Sequence, residues 1–291
     1  MMRQSMADMN ADKPVYAHSI TPQRSLLDLR LAEIWQYRDL LLLFVRRDFV
    51  AKYKQTILGP IWFFIQPIFQ TAVLAIVFGG MANLSTDGVP PILFYLAGIT
   101  AWNYFSNCLR TTSNTFTANA SLFGKVYFPR AVTPLSIVIS NLIQFGIGLL
   151  LFLLIYAFYA SDGSPLQPNR VLLLLPLLIV IMGAMGLGLG MLVSAMTTRY
   201  RDLQYLVEFG VQLLMYATPV IIPLSAIPEK YRLLMLINPM TGVIETFKYG
   251  FFGTGTFSWG SLGYSIGFTV ISFLLGLMVF NRTEKNFMDV V

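Results

Sequence analysis

Asn103, Asn107, Arg110 and Asn114 recur at spacings of four, three and four residues within an otherwise apolar stretch. On a helix that spacing puts all four on one face. Similar sets follow elsewhere: Gln66 and Gln70; Ser136, Ser140 and Gln144; Gln204, Glu208, Gln212 and Tyr216. The chemistry on offer is hydrogen bonding by neutral amides and hydroxyls, which donate and accept together. Such groups can hold a sugar hydroxyl without imposing a charge requirement. For any one residue they could equally be hydrogen-bonding glue between helices. Polar side chains facing lipid are costly, so four such stripes together predict a polar interior or a water-lined cavity. Aromatic residues sit in or beside the same stretches: Trp62, Phe63, Tyr95, Trp102, Tyr104, Phe105 and Tyr216. Those near the ends fit an interfacial belt. Inside a conduit, flat ring faces would let an amphipathic polymer slide without a deep binding well.

Other chemistries find little to work with. Glu208 is the one acidic residue in an apolar stretch, whereas proton or sodium coupling relies on ionisable groups at mid-membrane. The phosphate-binding pattern G-x-x-x-x-G-K-[ST] does not occur, which excludes ATP hydrolysis by that route. The connections opposite the basic side carry only Asp87, Asp162, Glu229 and Glu245, a thin set for acid–base catalysis. Cys108 is the single cysteine and His18 the single histidine, so neither a disulfide nor a metal site is expected. A polar path without its own engine suggests that a partner supplies the energy.

These stripes must be carried by membrane helices. The 291 residues are 56% hydrophobic and 12% charged, with a mean hydropathy of +0.65. Soluble domains carry about 25% charged residues. Six segments approach the roughly 20 apolar residues that a spanning helix needs: 59–81, 92–116, 132–159, 171–196, 204–222 and 261–280. They are continuously apolar, without the alternation of a spanning strand. Of the 20 basic residues, nine precede residue 55, and Arg110, Lys125, Arg130, Arg199, Arg201, Arg282 and Lys285 fall on the same side. Arg170, Lys230, Arg232 and Lys248 are left for the other. The positive-inside rule then makes both termini cytoplasmic, and the net charge of +6 is accounted for without nucleic acid. The first thirty residues are a polar tail without a leading apolar core.

Two regions do not span. In 31–58 the apolar run 40–45 is too short to cross, and its basic flank of Arg46, Arg47, Lys52 and Lys54 suits a helix in the cytoplasmic interface. Residues 223–257 are too apolar for a solvated loop and are broken by Pro228 and Pro239, as expected of short helices dipping back into the membrane. The stretch 121–130, SLFGKVYFPR, raises a separate point. Orientation explains Lys125 and Arg130, but not Leu122, Phe123, Tyr127 and Phe128 on a cytoplasmic connection. Exposed apolar groups of this kind mark a contact surface.

Four blocks carry a family resemblance. YRDLLLLFVRRDFVAKYKQTILGPIWFFIQP (37–67), NASLFGKVYFPRAVTP (119–134), TTRYRDLQYLVEFGVQLLMYATPVIIP (197–223) and NPMTGVIETFKYG (238–250) resemble, in order, blocks of the membrane subunits of polysaccharide ABC exporters, the permeases for O-antigen, capsule and teichoic acid. The resemblance implies an all-α integral membrane protein of the bacterial inner membrane: a polar tail at 1–30, an amphipathic interfacial helix at 31–58, and a six-span domain at 59–291 with re-entrant outer helices before the last span. It implies a homodimer docked on two copies of a cytoplasmic ATPase subunit, which binds ATP and magnesium; this chain would hold no cofactor and no metal. Lipid-linked polysaccharide, O-antigen first, is the implied substrate, and membrane lipids surround the subunit.

The implied channel lies between the two copies and would be lined by Trp62, Gln66, Gln70, Trp102, Asn103, Phe105, Asn107, Arg110, Asn114, Gln212 and Tyr216. A coupling helix over about 119–130 would seat in the ATPase through Asn119, Leu122, Phe123, Lys125, Tyr127, Phe128, Pro129 and Arg130. The interfacial helix would present Arg46, Arg47, Asp48, Lys52, Tyr53 and Lys54 beside it. Asn238, Pro239, Glu245 and Phe247 would belong to the outer gate. Alternatives are a permease for capsule or teichoic acid polymer, a permease for a small lipophile with a drier interior, and a membrane enzyme acting on glycans or lipids.

Overall fold

The computed structural model describes residues 31–286 apart from 55 and 127, and every regular element among them is helical. In chain order these are α1 (Leu31–Gln36), α2 (Arg38–Tyr53), α3 (Trp62–Leu74), α4 (Pro91–Ser113), α5 (Thr115–Ala118), α6 (Ala120–Phe123), α7 (Val132–Ser161), α8 (Leu175–Thr197), α9 (Leu203–Tyr216), α10 (Glu229–Ile237), α11 (Pro239–Phe252) and α12 (Trp259–Asn286). Among the described residues four helical stretches are long and apolar enough to cross a membrane: Gly59–Met81, Val132–Ser161, Arg170–Thr197 and Trp259–Glu284. This is an all-helical integral membrane protein.

Several expected boundaries shift. The second expected span is a 23-residue helix, α4, whose polar stripe dilutes its apolar content. The fifth, expected over 204–222, is helical only as far as Tyr216. Thr218 precedes Pro219, and a residue before proline disfavours the helical region, so the chain leaves the helix in turns. The interfacial segment is two helices, not one, and α2 stops at Tyr53, short of residue 58. The connection expected as one coupling helix over 119–130 is helical only in α6, followed by turns. The apolar stretch after 223 holds α10 and α11, joined at Asn238 and Pro239.

α4 is the hub. Seventeen of its 23 residues are buried, among them Tyr95, Trp102 and Cys108. From Leu93 to Arg110 the residues that escape full burial are Asn103, Asn107 and Arg110. The helix is enclosed on every face but the one that carries the polar stripe. α3, α7, α8, α9 and α11 all pack on it.

Glycines permit the closest of these contacts. On α8, a methyl group at Gly186 would stand 2.7 Å from Cys108 Cβ, and one at Gly190 would stand 2.5 Å from Thr112 Cβ, both on α4. Gly188 faces the opposite way, where an added carbon would be 2.6 Å from Phe273 Cα on α12. A side chain at Gly276 would overlap the Gly188 carbonyl. Small residues that let backbones approach are what membrane helices use in place of a hydrophobic driving force. Gly263 and Gly267, on α12, meet nothing within 4 Å. Gly276→Val should therefore lower the thermal melting point of the purified protein in detergent, with a loss of about 1–3 kcal/mol for overpacking, whereas Gly267→Ala should leave it unchanged.

Candidate functional site

The stripes meet in one place. A cavity of about 380 Å³ is lined by Gln66 and Gln70 of α3, Asn103, Asn107 and Arg110 of α4, Gln144 of α7 and Gln212 of α9. Each helix turns its polar side chains to the same space because lipid offers them no partner. Pro67, inside α3, also lines it. Proline has no backbone N–H, so one helical bond is missing there.

Part of the stripe binds helix to helix. Asn103 Nδ2 donates to Gln70 Oε1 at 3.0 Å, joining α4 to α3. Arg110 Nε stands 3.2 Å from Glu208 Oε2, joining α4 to α9, and both groups are partly exposed. Gln204 Nε2 donates to Thr117 Oγ1 at 3.1 Å one turn earlier. The glue and cavity readings thus both apply, to different atoms of one stripe. The cavity wall carries a single charged side chain, Arg110, which is already paired.

Several expected lining residues lie elsewhere. Trp102 touches the cavity but is 2% exposed, packed edge-on against Phe105 with ring centroids 5.4 Å apart. Phe105 is buried and does not reach it. Neither ring is open to a path outside the subunit; both are core. Trp62 and Tyr216 are well exposed, at the start of α3 and the end of α9. Asn114 opens into a second cavity at the far end of α4. Residues not singled out from sequence also line the polar space: Asn141, Thr100 and Ser106. Asn141 adjoins Ser140 of the third stripe, which was the available signal.

The connection at 119–130 corrects a further expectation. Phe123 and Phe128 are not exposed: they are 4% and 5% accessible, inside an aromatic cluster. Phe128 meets Phe44 of α2 at 5.6 Å and Phe123 at 5.8 Å, and Phe123 in turn meets Phe116 at 6.0 Å. Phe116 stacks on Phe280 of α12 at 4.6 Å. Arg130 and Pro129 are also buried. Arg130 Nη1 donates to the Glu284 carbonyl at 2.7 Å, and its guanidinium lies 5.4 Å from the centre of the Phe123 ring. Burial lowers the Arg130 pKa and Glu284 partly offsets this, but a guanidinium stays protonated in either case. Asn119 is buried too, its amide donating to the Thr115 carbonyl at 2.9 Å. Leu122 is half-buried, and Lys125 and Val126 form the exposed tip. Tyr127 lies outside the described residues.

On α2, Phe44 and Val45 face the protein while Arg46, Arg47, Leu42 and Leu43 face out, as in an interfacial helix. Arg47 is paired with Asp48 at 2.8 Å, and Lys54 is exposed. The side chains of Lys52 and Tyr53 lie outside the described set.

At the opposite end α11 clasps the turn after α9. Asn238 caps α11 by accepting from Met240 N at 3.0 Å, with Pro239 in the first helical position. The same Asn238 donates to the Ala217 carbonyl at 3.2 Å. Glu245 Oε1 accepts from Leu224 N, and Oε2 accepts from Thr256 N and from its hydroxyl at 3.0 Å. Lys248 donates to the Pro219 carbonyl at 2.5 Å and sits 3.2 Å from the centre of the Phe94 ring. Phe247 is in the main core, 5.8 Å from Phe152. Sequence reasoning counted Lys248 only as an outer charge and missed this clasp.

Residues 39–252 match the family model described as ABC-2 type transporter. The chain belongs to that family. It is 31% identical over 222 residues to the O-antigen export system permease protein RfbA of Myxococcus xanthus, covering 76% of this chain and 83% of that one. It is 26% identical over 256 residues to the O-antigen export system permease protein RfbA of Klebsiella pneumoniae, covering 87% and 95%. It is 24% identical over 248 residues to the polysialic acid transport protein KpsM of Escherichia coli, covering 82% and 91%. The transporter's aromatic cluster is matched territory except for α12, which lies beyond the family model. Phe128→Ala should destabilise the transporter by about 3–5 kcal/mol, read as a lower melting temperature, while Lys125→Glu on the exposed tip should change stability by less than about 0.5 kcal/mol.

Proposed function

We propose that this chain is the permease subunit of an ATP-driven exporter that moves lipid-linked polysaccharide, O-antigen first, across the inner membrane. One observation carries the reading: α4 is buried on every face except a polar stripe, neutral apart from the paired Arg110, that opens into the cavity with the amides of α3, α7 and α9. Such a wall exchanges hydrogen bonds with successive hydroxyls and imposes no charge requirement. A permease for a small lipophile would need a drier wall. The identities to O-antigen export permeases, at 31% and 26%, favour that polymer over the one moved by the polysialic acid transport protein, at 24%.

The working unit is a homodimer with the path between two copies. α3 supports this. Only 11% of its apolar window is buried within the subunit, against 44% for the span that includes α8. Yet α3 carries exposed Gln66 and Gln70, and exposed Gln212 lies on α9. Amides on otherwise lipid-accessible helices need protein or a wet path beside them, and a second copy supplies both. Trp62 and Tyr216, exposed at the ends of these helices, then offer stacking faces to sugar rings.

Six spans complete the reading. α4 has 23 residues, and at 1.5 Å per residue it crosses a core of about 30 Å. α9 covers about 21 Å and is completed by the turn that α11 clasps. α10 and α11 are the re-entrant outer pair, with Asn238, Pro239, Glu245 and Phe247 as the frame of the outer gate. Both termini lie in the cytoplasm. Energy comes from two copies of a cytoplasmic ATPase subunit, which hold ATP and magnesium and receive the tip at Lys125 and Val126; the aromatic cluster beneath passes the push to α2, α4 and α12.

Two outcomes are expected in a strain lacking its own copy of the gene. Lys125→Glu should leave the subunit at normal levels, and ATP should still be hydrolysed by the assembled complex, but surface polymer should fall at least tenfold; full export would refute the coupling role. Asn107→Leu should cut surface polymer by roughly tenfold, the weight of about one hydrogen bond, without loss of protein on immunoblots. Normal polymer there would remove the cavity from the path.

A further inference from the structure

Phe44 and Val45 of α2 are buried, and the helix packs on α7 and, through Phe44, on Phe128. At about 100° per residue, Leu42 and Arg46 stand two places either side of Phe44 and so point the opposite way. Leu42 and Leu43 are 60% and 59% exposed, Val50 is 44% exposed, and Trp35 of the adjoining α1 is 69% exposed. A lone surface leucine is ordinary, but these four along one helical surface form a patch.

The cations on this surface are only partly neutralised. Arg47 is paired with Asp48 at 2.8 Å. Arg38 stands 4.0 Å from Asp39, with its guanidinium 5.5 Å from the centre of the Trp35 ring. Glu33 is half-buried in the first turn of α1. Arg46 and Lys54 are exposed and make no ion pair among the described residues. Two uncompensated positive charges thus share a surface with exposed leucine, valine and tryptophan.

The helix lies where hydrocarbon begins. Phe49 stacks on Phe63, in the first turn of α3, at 5.5 Å, and the apolar stretch long enough to cross a membrane starts there at Gly59. Its other neighbour, α7, is long enough as well. A soluble anion would satisfy the cations and leave the apolar groups in water. A zwitterionic lipid would cover the apolar groups, but it brings its own ammonium to the phosphate. An anionic phospholipid meets both needs, with a phosphate for the guanidinium and acyl chains for the leucines.

We propose that the outward face of α1 and α2 docks anionic phospholipid, Arg46 and Lys54 taking headgroup phosphates while Trp35, Leu42, Leu43 and Val50 reach the acyl boundary. Because Phe44 of the same helix holds Phe128, lipid bound here anchors the base of the 119–130 connection to the membrane. The contact asks nothing of the cargo and stands apart from the polysaccharide reading.

Native mass spectrometry of the full-length permease tests this with phosphatidylglycerol and phosphatidylcholine of equal acyl chains, offered in equal amounts. A cation beside an anionic surface is worth roughly fivefold in affinity. Phosphatidylglycerol should therefore be retained preferentially, and Arg46→Gln should lower that preference about fivefold. Lys54→Gln should lower it too, whereas Arg46→Lys, which keeps the charge, should retain it. Leu42→Ser with Leu43→Ser should weaken both lipids alike, and glycerol phosphate should displace neither. Melting curves identify any variant that fails to fold, and the other position then decides. The docking surface is overturned if the two lipids are retained equally, or if Arg46→Gln and Lys54→Gln both keep the preference. Displacement of phosphatidylglycerol by glycerol phosphate overturns it as well, since that marks a site for soluble anions. So does an Arg46→Gln permease that binds both lipids normally but loses the ATPase subunit on purification, because the face then belongs to that partner.

Discussion

A polar side chain carried into hydrocarbon must find its partner within protein, and that constraint sets the rotation of each helix around α4. Seventeen of the 23 residues of α4 are buried, so its exposed arc is narrow and is filled by Asn103, Asn107 and Arg110. The neighbours must answer that arc. α3 does so with Gln70, α9 with Glu208, and α7 with Gln144 and Asn141. A rotation of any of these helices by one residue, about 100°, would take its amides out of the cavity and into lipid or close packing. The same constraint explains why α3 and α9 can be so little buried and still be held: their polar side chains pin them where apolar contact does not.

The rest of the molecule keeps α4 fixed while leaving that arc open. On the opposite side Gly186 and Gly190 let α8 lie against it at a separation no larger residue would allow. At one end, the aromatic cluster joins α2, the 115–130 connection and α12 through Phe44, Phe128, Phe123, Phe116 and Phe280. At the other, Lys248 of α11 touches the Phe94 ring of α4 and the carbonyl after α9 in one reach. A lysine buried this way loses hydration and regains part of it from carbonyl dipoles and the face of the ring. The two ends are unlike: one is an apolar knot of rings, the other a lattice of hydrogen bonds to backbone.

Much of this was legible in the sequence because membrane helices obey few rules. Apolar length located the long helices, and the spacing of amides gave the correct face of α4, α3 and α9. Helix ends were less legible. α9 stops at Tyr216 although apolar residues continue to Ile222, since Pro219 acts on the backbone and leaves hydropathy unchanged. Burial of aromatics was misjudged for a definite reason. Trp102, Phe105, Phe123 and Phe128 are apolar whether they face a path, a partner or the core, and composition does not separate these cases. Only contact does. Glycines divided in the same way: Gly186 and Gly190 sit at a close crossing, Gly263 and Gly267 do not, and the spacing of four is common to both pairs.

The burial of Phe123 and Phe128 changes what the 119–130 connection can do. A contact surface of loose aromatic rings would transmit little, because each ring could move alone. Here the rings are locked to α2 and α12, and Arg130 is tied to the Glu284 carbonyl, so the exposed tip at Lys125 and Val126 stands on a rigid base. α5 leads into this connection from the end of α4 at Asn114, four residues beyond Arg110 of the Arg110–Glu208 pair. Displacement of the base therefore acts first on the end of the polar stripe and on the one ion pair that joins α4 to α9. If the tip is pushed, two links to α9 yield or carry the load, the Gln204–Thr117 hydrogen bond and Arg110–Glu208, and the latter is partly open to solvent and worth less than a buried pair. In the proposed export cycle a weak, exposed pair suits a joint that moves, and the tight glycine crossing of α4 on α8 suits a part that stays fixed.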